Sequence, residues 1–495
     1  MARALLSPLL VLTATVFVQS ATAQGTSPKP APRAPSTSAA AIAVPNIVLL
    51  IVDDLGWQDL SVPLYRDTTD ANRKYLTPAI ARLAAEGVTF TDAYAASPVG
   101  SPTRVTLLTG RSPAVTRVTN MTSVRGRDER AIISGILPPE WNVNGLSAAA
   151  SPRAYTGPLL PKLLRNAGYR TIHIGRADWS PTGSLNSDAK ALGFDESESG
   201  AHRADSMATS AVRAMDATVA LRKPFFVQLA FDAIASSSAT DTGLVREALD
   251  RGLDADDAQY ASRIALVDRA VQSIMTWLDA KSLSSQTMVV LVSDNGGDAS
   301  AARPGVRGVQ NAPLKSGMGS AYEGGLRVPM IVRWPNVARA GLRTQAPVIA
   351  DDVFPTLLRA AHIASTSTLT RDAIGRDLTS TLDSSKPVSL ERVLLWHFPH
   401  VGGVTGAGME PFSAVRVGKW KLIYFYSGSR YELYDLSTDL GEQHELSLRQ
   451  PEIASRLSEA LRAALTSANA QMPIDAAYGK PFGLPGRILV PTPPL

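Results

Sequence analysis

The chain has 495 residues, of which 45% are hydrophobic and 19% are charged, a balance typical of a globular protein with a large buried core. The net charge of +5 is not concentrated in a run of lysines or arginines, so the sequence gives no support to nucleic-acid binding. The chain contains no cysteine, which excludes disulfides and thiolate metal sites.

The N-terminal residues predict export. Arg3 precedes an apolar run from Ala4 to Val18, and small residues follow it, so residues 1–23 are predicted to be a cleavable signal peptide. No other stretch is apolar enough to cross a membrane. Residues 24–44 are rich in Pro, Ala and Ser, which predicts a disordered leader. We therefore expect a secreted or periplasmic protein without a membrane span.

Strand and helix patterns alternate over residues 45–384. The apolar run Asn46–Val52 is typical of a buried parallel strand. Further strands are predicted at Thr171–Gly175, Phe225–Phe231, Met288–Ser293 and Val328–Trp334, and helices at Thr77–Glu86, Leu159–Ala167, Asp256–Ala280 and Asp351–Ala361. The alternation predicts an α/β domain with a mostly parallel sheet sandwiched by helices.

The pattern changes over residues 385–495. Short strands are predicted at Val393–Phe398, Ala414–Val417 and Trp420–Tyr426, and an amphipathic helix at Glu452–Leu465. This order predicts a smaller C-terminal α+β unit that carries a short antiparallel sheet.

Residues 97–111 read Ser-Pro-Val-Gly-Ser-Pro-Thr-Arg-Val-Thr-Leu-Leu-Thr-Gly-Arg. The segment resembles the signature of the sulfatase family, Cys-x-Pro-x-Arg followed by a short helix and Thr-Gly-Arg. Further segments match the family in order, at 52–57, 82–94, 168–175, 293–297, 322–329 and 432–443. The resemblance implies the fold of the alkaline phosphatase superfamily and the hydrolysis of sulfuric esters.

In sulfatases the first residue of the signature is a Cys or Ser that is oxidised to formylglycine, whose hydrate attacks the sulfate ester. The matching residue here is Gly100, which has no side chain to oxidise, so the chain cannot form formylglycine. Ser101 is next in the chain, but a Ser followed by Pro102 is typical of a helix N-cap rather than of a nucleophile. His173 lies in a strand pattern and is predicted to be structural, while His397 and His400 are weaker candidates for the pocket wall.

The resemblance also implies a site for one divalent cation, usually Ca²⁺. The matching ligands are Asp53, Asp54, Asp294 and Asn295, with Arg104 nearby to offset the carboxylate charge. Oxygen donors without thiol or imidazole suit a hard cation. Both pairs follow apolar strands, where ligands collect in open α/β sheets.

The anion-handling residues of the family are mostly replaced. The family usually has Lys where the chain has Arg176, His at Asp178 and Asp232, and Lys at Met318. Each His-to-Asp change and the Lys-to-Met change makes the pocket more negative. Two unit charges ~4 Å apart interact by about 4 kcal/mol at an effective dielectric constant of 20, so a sulfate ester is expected to bind poorly.

Three interpretations follow. The favoured one is a degenerate sulfatase that keeps the cation site and whose ligand, if any, is a sulfated small molecule or glycan. The second is an active metal-dependent sulfuric or phosphoric ester hydrolase that uses another nucleophile or a second metal near Asp178 and Asp232. The third is an ordinary sulfatase altered at one codon, which the other replacements disfavour.

Overall fold

The computed structural model of the chain describes residues 44–66, 68–121, 135–137, 139, 157–177, 179, 185–199, 203–232, 234, 240–299, 311–364, 375–383, 390–400, 406–486 and 488. The predicted signal peptide, all of the predicted leader but its last residue, and Asp178 lie outside these residues. No helix among the described residues is both long and apolar enough to cross a membrane.

The described strands are β1 (Asn46–Val52), β2 (Val88–Phe90), β3 (Ala93–Tyr94), β4 (Ile136–Leu137), β5 (Arg170–Gly175), β6 (Glu196–Ser199), β7 (Phe225–Phe231), β8 (Thr287–Ser293), β9 (Met330–Arg333), β10 (Leu342–Thr344), β11 (Val348–Ile349), β12 (Val393–Phe398), β13 (Phe412–Val417), β14 (Trp420–Phe425), β15 (Arg430–Asp435), β16 (Ile474–Asp475) and β17 (Lys480–Pro481).

The described helices are α1 (Asp70–Lys74), α2 (Pro78–Glu86), α3 (Gly100–Thr109), α4 (Pro113–Thr116), α5 (Leu160–Asn166), α6 (Leu185–Leu192), α7 (Ala204–Ala220), α8 (Thr242–Asp250), α9 (Ala255–Ala280), α10 (Glu323–Leu326), α11 (Val353–Ala360), α12 (Thr379–Asp383) and α13 (Pro451–Ser467).

The main sheet has eight strands in the order β10-β2-β9-β8-β1-β7-β5-β6. Strand β1 lies at its centre and pairs in parallel with β7 and β8, while β9 runs antiparallel to both of its neighbours. The predicted α/β fold with a mostly parallel sheet is confirmed, and β9 makes the sheet mixed.

The continuous apolar sequence of β1 arises because both faces of the sheet are covered. Val48, Leu50 and Val52 pack into one hydrophobic core with helices α2, α7, α8 and α9. The alternate residues Ile47 and Leu49 pack into a second core on the other face, together with residues of α3, α5 and α11. A strand buried on both faces has no polar side to alternate with its apolar one.

The C-terminal sheet is antiparallel in the order β12-β13-β14-β15. Helix α13 covers one face through Leu457, Leu461 and Leu465. The other face packs on residues of the main α/β region, residues 45–384. There Trp396 donates its indole N–H to the carbonyl of Ala95 at 2.9 Å. The predicted C-terminal antiparallel sheet is therefore confirmed.

Candidate active site and cation site

Two pairs of polar residues meet where the central strands end. Strands β1 and β8 are parallel and Val52 pairs with Ser293, so the residues that follow each strand emerge side by side. The side-chain amide of Asn295 donates to Oδ1 of Asp54 at 2.8 Å, and the backbone N–H of Asp54 donates to Oδ1 of Asp294 at 3.4 Å. Asp53 and the three residues already named are all buried. The structure thus brings together the four residues that the sequence proposes as cation ligands.

Helix α3 carries the signature segment to the same place. The helix begins at Gly100, and the residue before it, Val99, has the extended backbone of an N-cap without a side-chain hydrogen bond. The expectation that Ser101 caps this helix is therefore wrong, because the helical backbone already includes Gly100 and places Ser101 inside the first turn. Ser101 is buried there.

Gly100 lies directly against Asp294. A Cβ atom built on Gly100 would lie 2.3 Å from Oδ2 of Asp294 and 3.4 Å from Cζ of Arg104. Real side chains do not approach this closely, so any larger residue at position 100 requires the Asp294 carboxylate to move. In this arrangement the carboxylate fills the space beside the glycine.

Two arginines neutralise the carboxylates. Arg104 contacts both Asp53 and Asp294, and Arg176 contacts the second oxygen of Asp53. Burial alone would raise the pKa of Asp53, but the charges of Arg104 and Arg176 outweigh it and lower the pKa to about 2.

Asp294 responds in the opposite direction. Burial raises its pKa well above the usual value, and the charges of Asp53 and Asp54 raise it further against the opposing effect of Arg104. The cluster therefore holds more carboxylate than its two arginines can keep ionised.

The residues proposed for the pocket lie beyond this cluster. Asp232 follows β7 and is half-buried, and burial together with the charge of Asp53 raises its pKa. Met318 is also half-buried, and its backbone N–H donates to the carbonyl of Gly297 at 3.0 Å.

Lys315 does not replace the lysine that the resemblance implies at position 318. The ammonium of Lys315 lies 3.7 Å from the ring centroid of Tyr322 and donates to the carbonyl of Glu442 at 3.1 Å. These contacts hold its charge at the C-terminal sheet.

Three buried histidines are uncharged at neutral pH and bond or pack against neighbouring side chains. His173 lies in β5 against Trp179 and Phe194, and burial lowers its pKa to about 3. His397 donates its Nε2–H to the Gln471 carbonyl at 2.9 Å, and its Nδ1 accepts from the Ser413 hydroxyl at 2.8 Å. His400 bonds the Thr119 hydroxyl at 2.6 Å, and burial lowers its pKa to about 3. None of these three rings supplies positive charge at neutral pH.

The donor set suits a hard cation, since it consists of carboxylate and amide oxygens. Oδ2 of Asp294 is buried and accepts no hydrogen bond with proper geometry, although Arg104 touches it. In this arrangement the carboxylates of Asp53 and Asp294 contact Arg104, and that of Asp53 also contacts Arg176. Within the described ranges, no three or more His, Cys, Asp or Glu side chains are placed to hold a metal ion.

Two matched motifs form a buried ionic network that the sequence alone does not reveal. Lys421 lies 2.9 Å from both Glu323 and Glu442, and all three side chains are fully buried. The second oxygen of Glu323 accepts from Arg327 at 2.7 Å and from the hydroxyl of Tyr94 at 2.7 Å. The network joins α10 to β14. The segment that contains Met318 leads directly into α10 and is therefore attached to this network.

Comparison with known proteins agrees with this architecture. The family model described as Sulfatase matches residues 45–363, and the model described as N-sulphoglucosamine sulphohydrolase, C-terminal, matches residues 319–471. A protein named Sulfatase from Formosa agariphila is 27% identical, with 86% of this chain and 89% of that protein covered. N-acetylgalactosamine-6-sulfatase of Mus musculus is 28% identical, with 68% of this chain and 66% of the relative covered.

Solved structures show the same fold. Ps i-CgsB in complex with k-i-k-neocarrahexaose aligns with a TM-score of 0.70 at 23% identity, covering 86% of this chain and 94% of that one. BT4656 in complex with its substrate D-Glucosamine-2-N, 6-O-disulfate aligns with a TM-score of 0.61 at 17% identity, covering 86% and 98%. Because the Sulfatase model matches more than half of the residues, the chain belongs to the sulfatase family.

Proposed function

We propose that this sulfatase-family protein holds one divalent cation, Ca²⁺, but does not cleave sulfate esters by the formylglycine mechanism. The observation that carries the proposal is Gly100, the first residue of α3, which stands at the position that the resemblance assigns to the residue oxidised in active sulfatases. A glycine offers no carbon to oxidise. The adjacent Asp294 carboxylate also fills the space in which a side chain would begin.

The excess carboxylate supports the cation. Asp53, Asp54 and Asp294 carry three negative charges when ionised, against the positive charges of Arg104 and Arg176. Asp53, Asp54, Asp294 and Asn295 would hold the ion, which would offset the remaining charge and attract an anionic group. Binding requires Asp294 to ionise and its carboxylate to turn from Arg104, so Ca²⁺ affinity should rise with pH.

The pocket residues also argue against efficient sulfate hydrolysis, even if a nucleophile were present. Asp232 adds a carboxylate and Met318 supplies no charge where the family pattern has a histidine and a lysine. Asp178, a second histidine position, lies outside the described residues. A carboxylate ~4 Å from the sulfate would cost about 4 kcal/mol at an effective dielectric constant of 20, or about a thousandfold in affinity.

The natural ligand in this proposal is a sulfated small molecule or glycan. The two structures described above contain a neocarrahexaose and a disulfated glucosamine, and the chain shares their fold. Residues 1–23 as a signal peptide and 24–44 as a leader would deliver the protein to the periplasm or the exterior. Residues 45–384 would form the main domain and 385–495 the C-terminal subdomain.

The test is hydrolysis of 4-nitrophenyl sulfate and 4-nitrophenyl phosphate by the purified protein, with Ca²⁺, Mn²⁺ or Zn²⁺ and with chelator. We expect no turnover above the level of an Asp53→Asn, Asp294→Asn double variant. Chelator-sensitive turnover that this variant abolishes would contradict the proposal and support the alternative metal-dependent hydrolase. Metal analysis separates the cases further, because the proposal requires one Ca²⁺ per chain and a two-metal hydrolase requires two.

A further inference from the structure

A second cleft lies between the segment after β1 and the C-terminal sheet. Its volume is about 790 Å³, within the range of sites for small ligands. Trp57, Asp92, Arg327 and Arg416 form much of its lining. None of the residues that line it belongs to the candidate cation site or the pocket beside it.

The cleft is at the far end of the C-terminal sheet from Gly100. It is lined by Gly418 and Lys419 between β13 and β14, and by Leu436 just after β15. The opposite end of the sheet is tied to the signature segment. There the Ala321 N–H donates to the Gly408 carbonyl just before β13, and the Gly319 N–H donates to the Pro98 carbonyl. Strands of six residues span about 20 Å, so one ligand group cannot occupy both sites.

Most charges on the floor of the cleft are neutralised. Asp92 accepts from Arg327 at 3.0 Å and from Arg416 at 2.7 Å, and burial opposed by these two charges leaves the pKa of Asp92 below its usual value. Lys419 pairs with Asp435 at 2.6 Å. The floor is therefore a rigid set of ion pairs with little net charge.

Two arginines of the lining, Arg66 and Arg343, are exposed at the rim, and the lining contains one acidic residue, Asp92. The guanidinium of Arg66 lies 5.4 Å from the ring centroid of Tyr65. The guanidinium of Arg343 makes no hydrogen bond or ion pair with any residue that the structure describes. A guanidinium can donate two parallel N–H bonds to two oxygens of a sulfate or carboxylate, so two arginines at the mouth of a cleft suit such an anionic group.

The remaining lining suits a sugar. Thr91, Gln345, Ser437 and Thr438 supply hydroxyl and amide groups of the kind that pair with sugar hydroxyls. Tyr65, half-buried, presents an aromatic edge beside Trp57 with ring centroids 6.0 Å apart. We propose that this cleft is an accessory binding site for an acidic oligosaccharide, with Arg66 and Arg343 contacting its sulfate or carboxylate groups. The site needs neither the cation nor Gly100.

The experiment is calorimetric titration of the full chain with a heparin hexasaccharide in the presence of chelator, so that the cation site does not contribute. We expect binding that falls about a hundredfold in the Arg66→Ser, Arg343→Ser double variant, about tenfold for each arginine. The matched control is Arg246→Ser, Arg359→Ser, which removes two exposed charges elsewhere and should leave the affinity unchanged. Hydrogen exchange should show protection of residues 436–440 when the hexasaccharide binds.

Four results would overturn the proposal: no binding by the wild-type chain, equal binding by the double variant, equal binding of neutral maltohexaose, or inorganic sulfate binding as tightly as the hexasaccharide. The last would show a site for a lone anion. Since chelator is present throughout, failure here leaves the proposed cation site untouched, and failure of Ca²⁺ binding leaves this cleft untouched.

Discussion

The carboxylate of Asp294 lies where a side chain on Gly100 would begin, with Oδ2 only 2.3 Å from the position of a Cβ atom. The contact links the proposed nucleophile position to the proposed cation ligands. A side chain at position 100 and this position of Asp294 exclude each other, so a change at one residue must be felt at the other.

Gly100→Ala is expected to destabilise the protein by about 1–3 kcal/mol, the usual cost of overpacking a buried site. The free energy of unfolding from urea titration measures the loss. Gly483→Ala is the matched control, because a Cβ there meets nothing within 4 Å and should change stability by less than about 0.5 kcal/mol. Equal stability of Gly100→Ala and wild type would show that Asp294 moves freely.

Gly100→Cys, expressed with the enzyme that makes formylglycine, is expected to recover little sulfatase activity. In the proposed pocket Asp232 and Met318 would still disfavour the sulfate group, so adding Asp232→His and Met318→Lys should raise kcat/KM on 4-nitrophenyl sulfate about a hundredfold or more over Gly100→Cys alone. Mass spectrometry must first confirm the formylglycine in both variants. High activity of the single variant would place the whole loss at one residue.

Ca²⁺ is expected to raise Tm, since a ligand that binds only the folded state stabilises it. At a free Ca²⁺ concentration of one hundred times Kd, the free energy of unfolding should increase by about 2.7 kcal/mol. Asp54→Asn should abolish both this gain and the rise in Tm. Asp216→Asn, which changes an exposed carboxylate paired with Lys281, is the control and should keep the full rise. An identical shift in both variants would contradict the proposed ligand set.

Lys421→Met should destabilise the chain by about 3–5 kcal/mol, because it leaves Glu323 and Glu442 buried without their shared cation. Lys419→Met, two positions before Lys421, removes an ion pair with Asp435 in which only the lysine is exposed, and it should cost less than about 1 kcal/mol. Urea titration of the two variants compares them. Similar losses would show that the buried network contributes no more than a surface pair.

Asp351→Asn should stabilise the protein above neutral pH. Asp351 is fully buried, no other described residue donates a hydrogen bond to it, and burial plus the charge of Asp352 raises its pKa to about 7. The folded pKa exceeds the unfolded value of 3.8, so ionisation weakens the fold increasingly from about pH 4 to pH 7 and by a constant amount above.

The gain from Asp351→Asn should therefore be on the order of 2–4 kcal/mol at pH 8 and vanish near pH 4. Asp352→Asn provides the contrast, since Asp352 accepts from Arg392 at 2.7 and 2.9 Å and its loss should destabilise at both pH values. A gain from Asp351→Asn that does not depend on pH would exclude its titration as the cause.

Much of the fold was predictable because its strands are buried on both faces. Phe225–Phe231 and Asn46–Val52 are observed with the predicted bounds, since their apolar runs end abruptly at polar residues. Helix α7 was not predicted, because its many alanines and small polar residues give a weak apolar stripe. Strand β15 was recognised only as part of a matched segment, since half of the residues in Arg430–Asp435 are charged and the segment lies partly exposed, so it has no apolar run.

The meeting of Asp53 and Asp54 with Asp294 and Asn295 follows from parallel strands that end together, and the sequence predicts it. The contacts of Arg104 and Arg176 with Asp53, and the closeness of Asp294 to Gly100, depend on side-chain positions. The resemblance implies only that Arg104 lies near these carboxylates, and no spacing in the sequence encodes the other contacts. The network around Lys421 joins residues about a hundred positions apart and could not be found by pattern either.

Strand β1 contributes alternate side chains to two hydrophobic cores, so neither core can melt while the other keeps its central member. We therefore expect the two layers to unfold together and amide exchange along Asn46–Val52 to require global opening. Asp53 and Asp54 are the next residues in the chain. They are thus anchored directly to a central strand that is buried on both faces, which holds their backbone in place.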